Sequence, residues 1–381
     1  MASTSGSPVP DRAPLDRTSF LAAYGAPLTA FTEMSRTVGA RADYVQGGGG
    51  NTSAKFGEGN GLMAIKASGF RLSDIAPDAA YAVIDGAAVR RFYEAHEEAD
   101  FEDVEKAGSE AAKAATLAVD GMPALRPSVE VGFHSLLDRY VVHSHSVYAN
   151  LAGCVEGAPA LLAQAFDGAP YSYGFVPYVD PGARLTFRIR DELRRVAAAT
   201  GKRPAVLILQ NHGPIAHHDD PAEAVAIHAD LNARLAALYG LSGDAFPPVA
   251  VAPAGEGLWR SATPYLADAL RSGRYDRAFF LERPLYPDQM VFLVGTFDIG
   301  AGTPAEGACL ADPAAGTVLY RMPEATARTI EETLSAVAFI AEHARRSGRT
   351  LSTMGEAARR FIANWESEKY RKTLAQKGGT P

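Results

Sequence analysis

"YVVHSHSVYANL", residues 140–151, is the stretch on which the reading of this chain turns. Tyr140, Val141 and Val142 are apolar and strand-forming, and two histidines follow at alternate positions, His143 and His145. Residues two apart on a strand share a face, so the spacing predicts both imidazoles on one side of a strand end. H-x-H offers only two ligands, whereas a catalytic zinc takes three protein ligands and keeps a fourth position open. A third comes from "PAVLILQNHGPIAHH", residues 204–218. Its apolar run reads as a buried strand ending at Asn211-His212-Gly213, and functional residues gather where scaffold elements run out into loops.

Two further pieces surround the histidines. "RPSVEVGFHSLLDRY", residues 126–140, reads as a short helix capped by Ser128, and it places Glu130 just ahead of the histidine strand. A carboxylate beside a triple-imidazole metal serves as general base or as a displaceable ligand. In "GGGGNTS", residues 47–53, four glycines let backbone N–H groups turn toward an anion. Asn51, Thr52 and Ser53 add side-chain donors, and Ser68-Gly69 forms a second donor-rich turn one strand later. The glycine run is neither a dinucleotide fingerprint nor a phosphate-binding loop of the Gly-Lys-Ser/Thr kind.

Composition bounds the rest. The chain has 381 residues, 47% hydrophobic and 21% charged, with a net charge of −7. That size predicts one large domain and a smaller one, and the acidic balance excludes a nucleic-acid footprint. The two cysteines, Cys154 and Cys309, make no C-x-x-C pair, so a metal has to rely on histidine and carboxylate. No stretch is apolar for long enough to span a membrane, and the polar, Pro/Ser-rich start lacks a secretory core. The expectation is therefore a cytoplasmic protein with a disordered lead-in over residues 1–17.

Between the motifs, helices are expected over 18–40, 101–120 and 220–240, the last capped by Asp220 with Pro221 in its first turn. A short strand is expected at 43–46, a strand over 61–67, and a hairpin over 80–92 with Asp85-Gly86 as its turn. Residues 244–257, rich in Pro, Gly and Ala, read as a linker. Beyond it come a helix near 263–272, a strand "DQMVFLVG" (288–295), a hairpin over 307–322, and helices over 323–346 and 352–373. There is no internal repeat and no coiled coil.

Taken in chain order, G-G-N-T-S, the strand ending Ser68-Gly69, S-x-E-x-x-x-H (Ser128, Glu130, His134), H-x-H and N-H-G resemble the class II aldolase/adducin family over about residues 18–242. That family includes fuculose- and rhamnulose-1-phosphate aldolases, ribulose-5-phosphate 4-epimerase and related decarboxylases of carbohydrate metabolism. "ERPLYPDQMVFLVG" (282–295) is similar to the extension of longer bacterial members. The resemblance implies an α/β fold: a central, mostly antiparallel sheet flanked by helices. It implies a metal-dependent catalytic domain over 18–243 and a smaller α+β extension over 258–381. It makes His143, His145 and His212 the ligands of Zn2+, or alternatively Mn2+ or Co2+, and Glu130 the catalytic acid/base. Gly50, Asn51, Ser68, Gly69 and Ser128 become the phosphate-binding positions. It implies a homotetramer with sites at subunit interfaces, and carbon–carbon cleavage of a small phosphorylated ketose through a metal-bound enediolate.

The same scaffold serves epimerisation and 3-keto-acid decarboxylation, and adducin-like members bind without catalysis. Two features depart from the sugar-phosphate aldolase pattern. Ser128-Val129 stands where that pattern has paired serines, and the proton-donating tyrosine has three candidates, Tyr171, Tyr173 and Tyr178, with Tyr173 preferred. Lys55 and Lys66 flank the anion loops, and Lys55 is the one expected to bind substrate.

Overall fold

The computed structural model describes residues 15–364. Most of the expected lead-in, and the end of the last expected helix, lie outside them. Order begins before residue 18: Leu15–Asp16 pairs in parallel with Val119–Asp120, and the Asp16 carboxylate accepts the Ser19 N–H to cap the helix Arg17–Gly39.

An eight-stranded sheet forms the centre. Its order from one edge is Thr116–Leu117, Tyr81–Asp85, Leu62–Lys66, Asn51–Phe56, Tyr140–His143, Gly213–His218, Val206–Leu209, Tyr173–Val176. Every pairing is antiparallel except the last, where Tyr173–Val176 runs parallel to Val206–Leu209. Both faces are covered, so adjacent residues of one strand enter different cores. Leu62 and Ala64 join a cluster with Phe20 and Phe31, whereas Met63 and Ile65 join one with Val89, Phe133 and Phe187. Burial on both faces is why these strands read as continuous apolar runs. The helices Arg17–Gly39, Val147–Gly153 and Pro221–Ala237 cover one face, and Gly86–Ala95, Val104–Ala115, Val131–Leu136 and Ala183–Thr200 the other.

Four local expectations give way to physical alternatives. Residues 43–46 are turn and irregular backbone, not a strand. The expected hairpin over 80–92 is a strand followed by a helix. Asp85 accepts the Ala88 N–H as an N-cap, and Val89 and Tyr93, one helical turn apart, are buried on one face. "PAVLILQNHGPIAHH" contains two antiparallel strands joined at 210–212, not one. "DQMVFLVG" is the helix Pro287–Leu293, begun by a proline in its first turn and buried along its whole length.

Beyond residue 250 a five-stranded sheet has the order Val251–Gly255, Leu258–Ser261, Thr317–Tyr320, Cys309–Asp312, Phe297–Ile299. Part of the expected linker is therefore its edge strand. The helix Glu324–Arg346 lies against Val147–Gly153, Pro287–Leu293, the second sheet's edge strand Val251–Gly255 and that strand's neighbour Leu258–Ser261, and it is buried on nearly all sides from Thr329 to Glu342. A single apolar cluster runs from Phe20 and Phe31 through Tyr148 to Phe339 and Tyr320. The expected final helix is described over Glu356–Asn364. No described helix is long and apolar enough to cross a membrane.

Candidate metal centre

Sheet register assembles the site. Asn51 and Ile215 flank His143 on the two neighbouring strands. His143 is the last strand residue, and its Nδ1–H donates to the Pro214 carbonyl at 3.0 Å. That bond fixes the tautomer and leaves Nε2 with a lone pair; Nε2 is buried with no hydrogen-bond partner. Burial pulls the His143 imidazolium down to about 4, so the ring is in its ligating, neutral form. His145 lies beyond the strand end, so the two rings converge through a loop and not through strand alternation. His212 follows Asn211, which holds a left-handed φ of 52°. Asn tolerates that region through its short polar side chain, and here its Nδ2 donates to the carbonyls of Leu285 and Ser352 at 2.8 and 2.7 Å.

The three rings form a near-equilateral triangle, with centroids 4.9, 5.0 and 5.1 Å apart. One nitrogen of each lies within 4.8 Å of the others. Glu130 faces them: its carboxylate oxygens are 3.5 Å from His143 Nε2 and 3.4 Å from His212 Nε2. Ligands about 2.0–2.1 Å from a tetrahedral ion sit roughly 3.4 Å from one another. The nitrogen–oxygen spacings thus match those around one small divalent cation, and Glu130 Oε1, like His143 Nε2, is buried with no hydrogen-bond partner. The donor set fits zinc or a similar ion.

A buried chain orients the carboxylate. Ser53 Oγ donates to His134 Nδ1 at 2.7 Å, and His134 Nε2–H donates to Asn51 Oδ1. With its carbonyl so engaged, Asn51 turns its amide outward, donating to Glu130 Oε2 at 2.5 Å and Ser128 Oγ at 3.0 Å. Burial holds His134 well below the usual histidine range, hence neutral, and it stacks on Phe133.

The centre opens into a cleft walled by Gly48, Gly50, Asn51, Lys66, Ser68, Gly69, Ser128 and Val129. Backbone bonds from Ser68 N to Arg126 O and from Ser128 N to Lys66 O bring the two donor loops side by side. Lys66 reaches the wall with its ammonium donating to the Phe70 and Gly48 carbonyls. The glycine turn is partly committed elsewhere: Gly47 N–H donates to Glu332 at 2.9 Å, and Gly49 N–H to the Gln46 carbonyl at 3.0 Å.

Two expected site residues lie elsewhere. Lys55 is four residues along its strand from Asn51, about 13 Å at strand rise. It is fully buried, donates to the Asp138 carbonyl at 2.6 Å, and is pulled down to about 7 by that burial. Tyr173 begins the edge strand, packs on Phe166 and lines a separate surface recess with Phe175 and Arg195. Tyr171 donates to Asp230, and Tyr178 packs with Met290 and Phe292. Sequence reasoning gave no role to His134, although it closes the S-x-E-x-x-x-H motif, nor to Asp288, whose Oδ2 is 2.5 Å from His145 Nδ1.

Among solved structures, an N-terminal class II aldolase domain from Thermoplasma acidophilum is similar at 21% identity and TM-score 0.45, over 62% of this chain and 97% of that one. YgbL from Klebsiella pneumoniae is similar at 18% identity and TM-score 0.39, over 57% of this chain and 89% of that one. L-fuculose-1-phosphate aldolase from Thermus thermophilus is similar at 17% identity and TM-score 0.33, over 56% of this chain and 93% of that one. A search of the curated proteins finds no match. Residues 29–239, more than half of the chain, match the family described as Class II Aldolase and Adducin N-terminal domain, and with the histidine triad and Glu130 in place the chain belongs to the class II aldolase and adducin family.

Proposed function

We propose that the protein is a divalent-metal-dependent, zinc-type carbon–carbon lyase that cleaves or forms a bond in a small phosphorylated ketose. The observation that carries this reading is the Glu130 carboxylate, held by Asn51 and set 3.4–3.5 Å from two ligand nitrogens at the base of a donor-lined cleft. A divalent ion held by His143, His145 and His212 supplies Lewis-acid stabilisation of negative charge on substrate oxygen. Glu130 delivers a proton to the carbon left electron-rich when the bond breaks, and removes it in the reverse direction. Ser68, Ser128 and the N–H groups of Gly50 and Gly69 hold the substrate's anionic end next to Asn51, whose own amide is given to Glu130 and Ser128, so that only one bond lies beside Glu130. Tyr173 lies outside its own chain's cleft and serves as proton donor only from a second copy, in a homotetramer of the family kind. Residues 18–243 carry these groups and 258–381 form the extension, in a cytoplasmic enzyme.

Val129 on the cleft wall favours a second reading. It removes one hydroxyl from the anion pocket, which suits epimerisation or decarboxylation of a less heavily phosphorylated substrate on the same groups. A screen of ketose 1-phosphates and 3-keto acids, reading aldehyde, epimer and CO2, separates the two. Aldehyde release is expected, falling about 10²-fold or more in Glu130→Gln with the metal retained. Turnover unchanged in Glu130→Gln removes Glu130 from the chemistry.

A further inference from the structure

"ERPLYPDQ", residues 282–289, lies outside the matched domain, yet Leu285, Tyr286, Asp288 and Gln289 are completely buried. We propose that Asp288 is a positioning residue for His145, so that the C-terminal extension supplies the outer shell of the metal centre. The inference rests on the three-histidine reading above.

Three observations carry it. First, Asp288 Oδ2 is 2.5 Å from His145 Nδ1, both groups being shut off from solvent. A neutral imidazole has one N–H. A buried carboxylate at Nδ1 selects the tautomer protonated there, fixes the ring's orientation and leaves the Nε2 lone pair for an ion. The Pro214 carbonyl does the same for His143, but with a neutral acceptor. Second, the glycine turn is shaped around this pair: a Cβ at Gly49 would collide with Asp288 Oδ2 and lie 2.8 Å from His145 Nδ1. Third, the same segment holds two more parts of the centre. The Leu285 carbonyl accepts from Asn211, the residue that turns the chain into His212, and the Tyr286 hydroxyl donates to Gln46 at the start of the glycine turn at 3.1 Å. Gln289 locks the segment by accepting the Leu285 N–H and donating to the Phe279 and Phe280 carbonyls.

The test is zinc affinity by chelator competition on the full chain, with 15N NMR of the metal-free protein reporting the His145 tautomer. Removing a carboxylate that orients a metal-bound histidine typically lowers affinity 10- to 100-fold. Asp288→Ala is expected near the upper figure, with loss of the Nδ1–H preference. Asp288→Asn, of nearly equal size, keeps an acceptor without the charge and is expected to lose roughly tenfold; it carries the measurement if the alanine variant does not fold. Wild-type affinity in a folded Asp288→Asn and Asp288→Ala overturns the role of Asp288 while leaving the histidine triad intact. A wild-type chain that takes up no divalent ion, or a His212→Ala variant that keeps it, brings down the three-histidine reading and this inference with it.

Discussion

Ser144 sits between the two histidines of H-x-H, and its hydroxyl donates to Nε2 of His228 at 2.8 Å. His228 is fully buried beneath the Tyr44 ring, with Asn232 on its own helix and the Arg41 guanidinium and the His143 ring nearby. Burial, helped by the Arg41 charge, pulls its imidazolium down to about 3. Below the usual histidine value near 6.5 the unfolded chain binds a proton that the folded chain refuses. Stability contributed by neutral His228 is present above that value and is lost as pH falls from about 6.5 toward 3, at about 1.4 kcal/mol per pH unit. Urea midpoints of the metal-free protein should therefore fall across pH 6.5–4, with a shallower slope in His228→Gln; an equal slope in both rules His228 out as the cause. The sequence was informative about which polar side chains meet and poor about depth. The triad, Glu130, Asn51 and the serines were legible because a short motif puts each at a strand end or turn beside the next. Lys55 was misread because nothing local distinguishes a lysine at a cleft from one buried four strand residues away. Asp288 was invisible because its partner is 143 residues away.

Elements were legible where capping and period agree, as for Pro221–Ala237 with its Asp220 cap, and misread where one signal serves two structures. Asp85-Gly86 suits a hairpin turn and an N-cap equally, and the buried pair Val89 and Tyr93 decides for helix. A seven-residue segment such as Pro287–Leu293 has no hydrophobic period to read once polar and apolar residues alike are buried. The glycine turn shows the same ambiguity: it was expected to cradle an anion, but part of its glycine requirement is close approach to the extension. Gly49→Ala forces the Asp288–His145 pair apart and should cost about 1–3 kcal/mol, with zinc affinity falling alongside. Gly25→Ala, where an added Cβ meets nothing within 4 Å, should leave both unchanged within about 1 kcal/mol. Parallel thermal melts and chelator titrations of the two variants check this, and a Gly49→Ala protein with native zinc affinity argues against the close packing described.

For the whole molecule, the decisive element is the helix Glu324–Arg346. Sequence patterning set it in an extension behind a linker, because a linker-like composition says nothing about what packs on what. In the structure Phe339 meets the Tyr148 ring edge-on at a centroid distance of 6.1 Å, and Glu332 accepts the Gly47 N–H while pairing with Arg71 and Arg328. The helix covers Val147, Tyr148 and Leu151, all without solvent exposure. Uncovering three such side chains at about 1.5–3 kcal/mol each costs up to roughly 5–9 kcal/mol, against a typical total of about 5–15 kcal/mol for a folded protein. A chain ending at residue 243 should therefore lack cooperative thermal unfolding and near-UV circular dichroism. It should also bind zinc more weakly than Asp288→Ala in the full chain, since it loses the Leu285 and Ser352 carbonyls that hold Asn211 as well as the carboxylate. A truncated chain that melts cooperatively and holds zinc at full-chain affinity would mean that the matched domain builds its own centre. The continuity of the core from Phe20 to Phe339 would then be a matter of packing alone, without consequence for the metal.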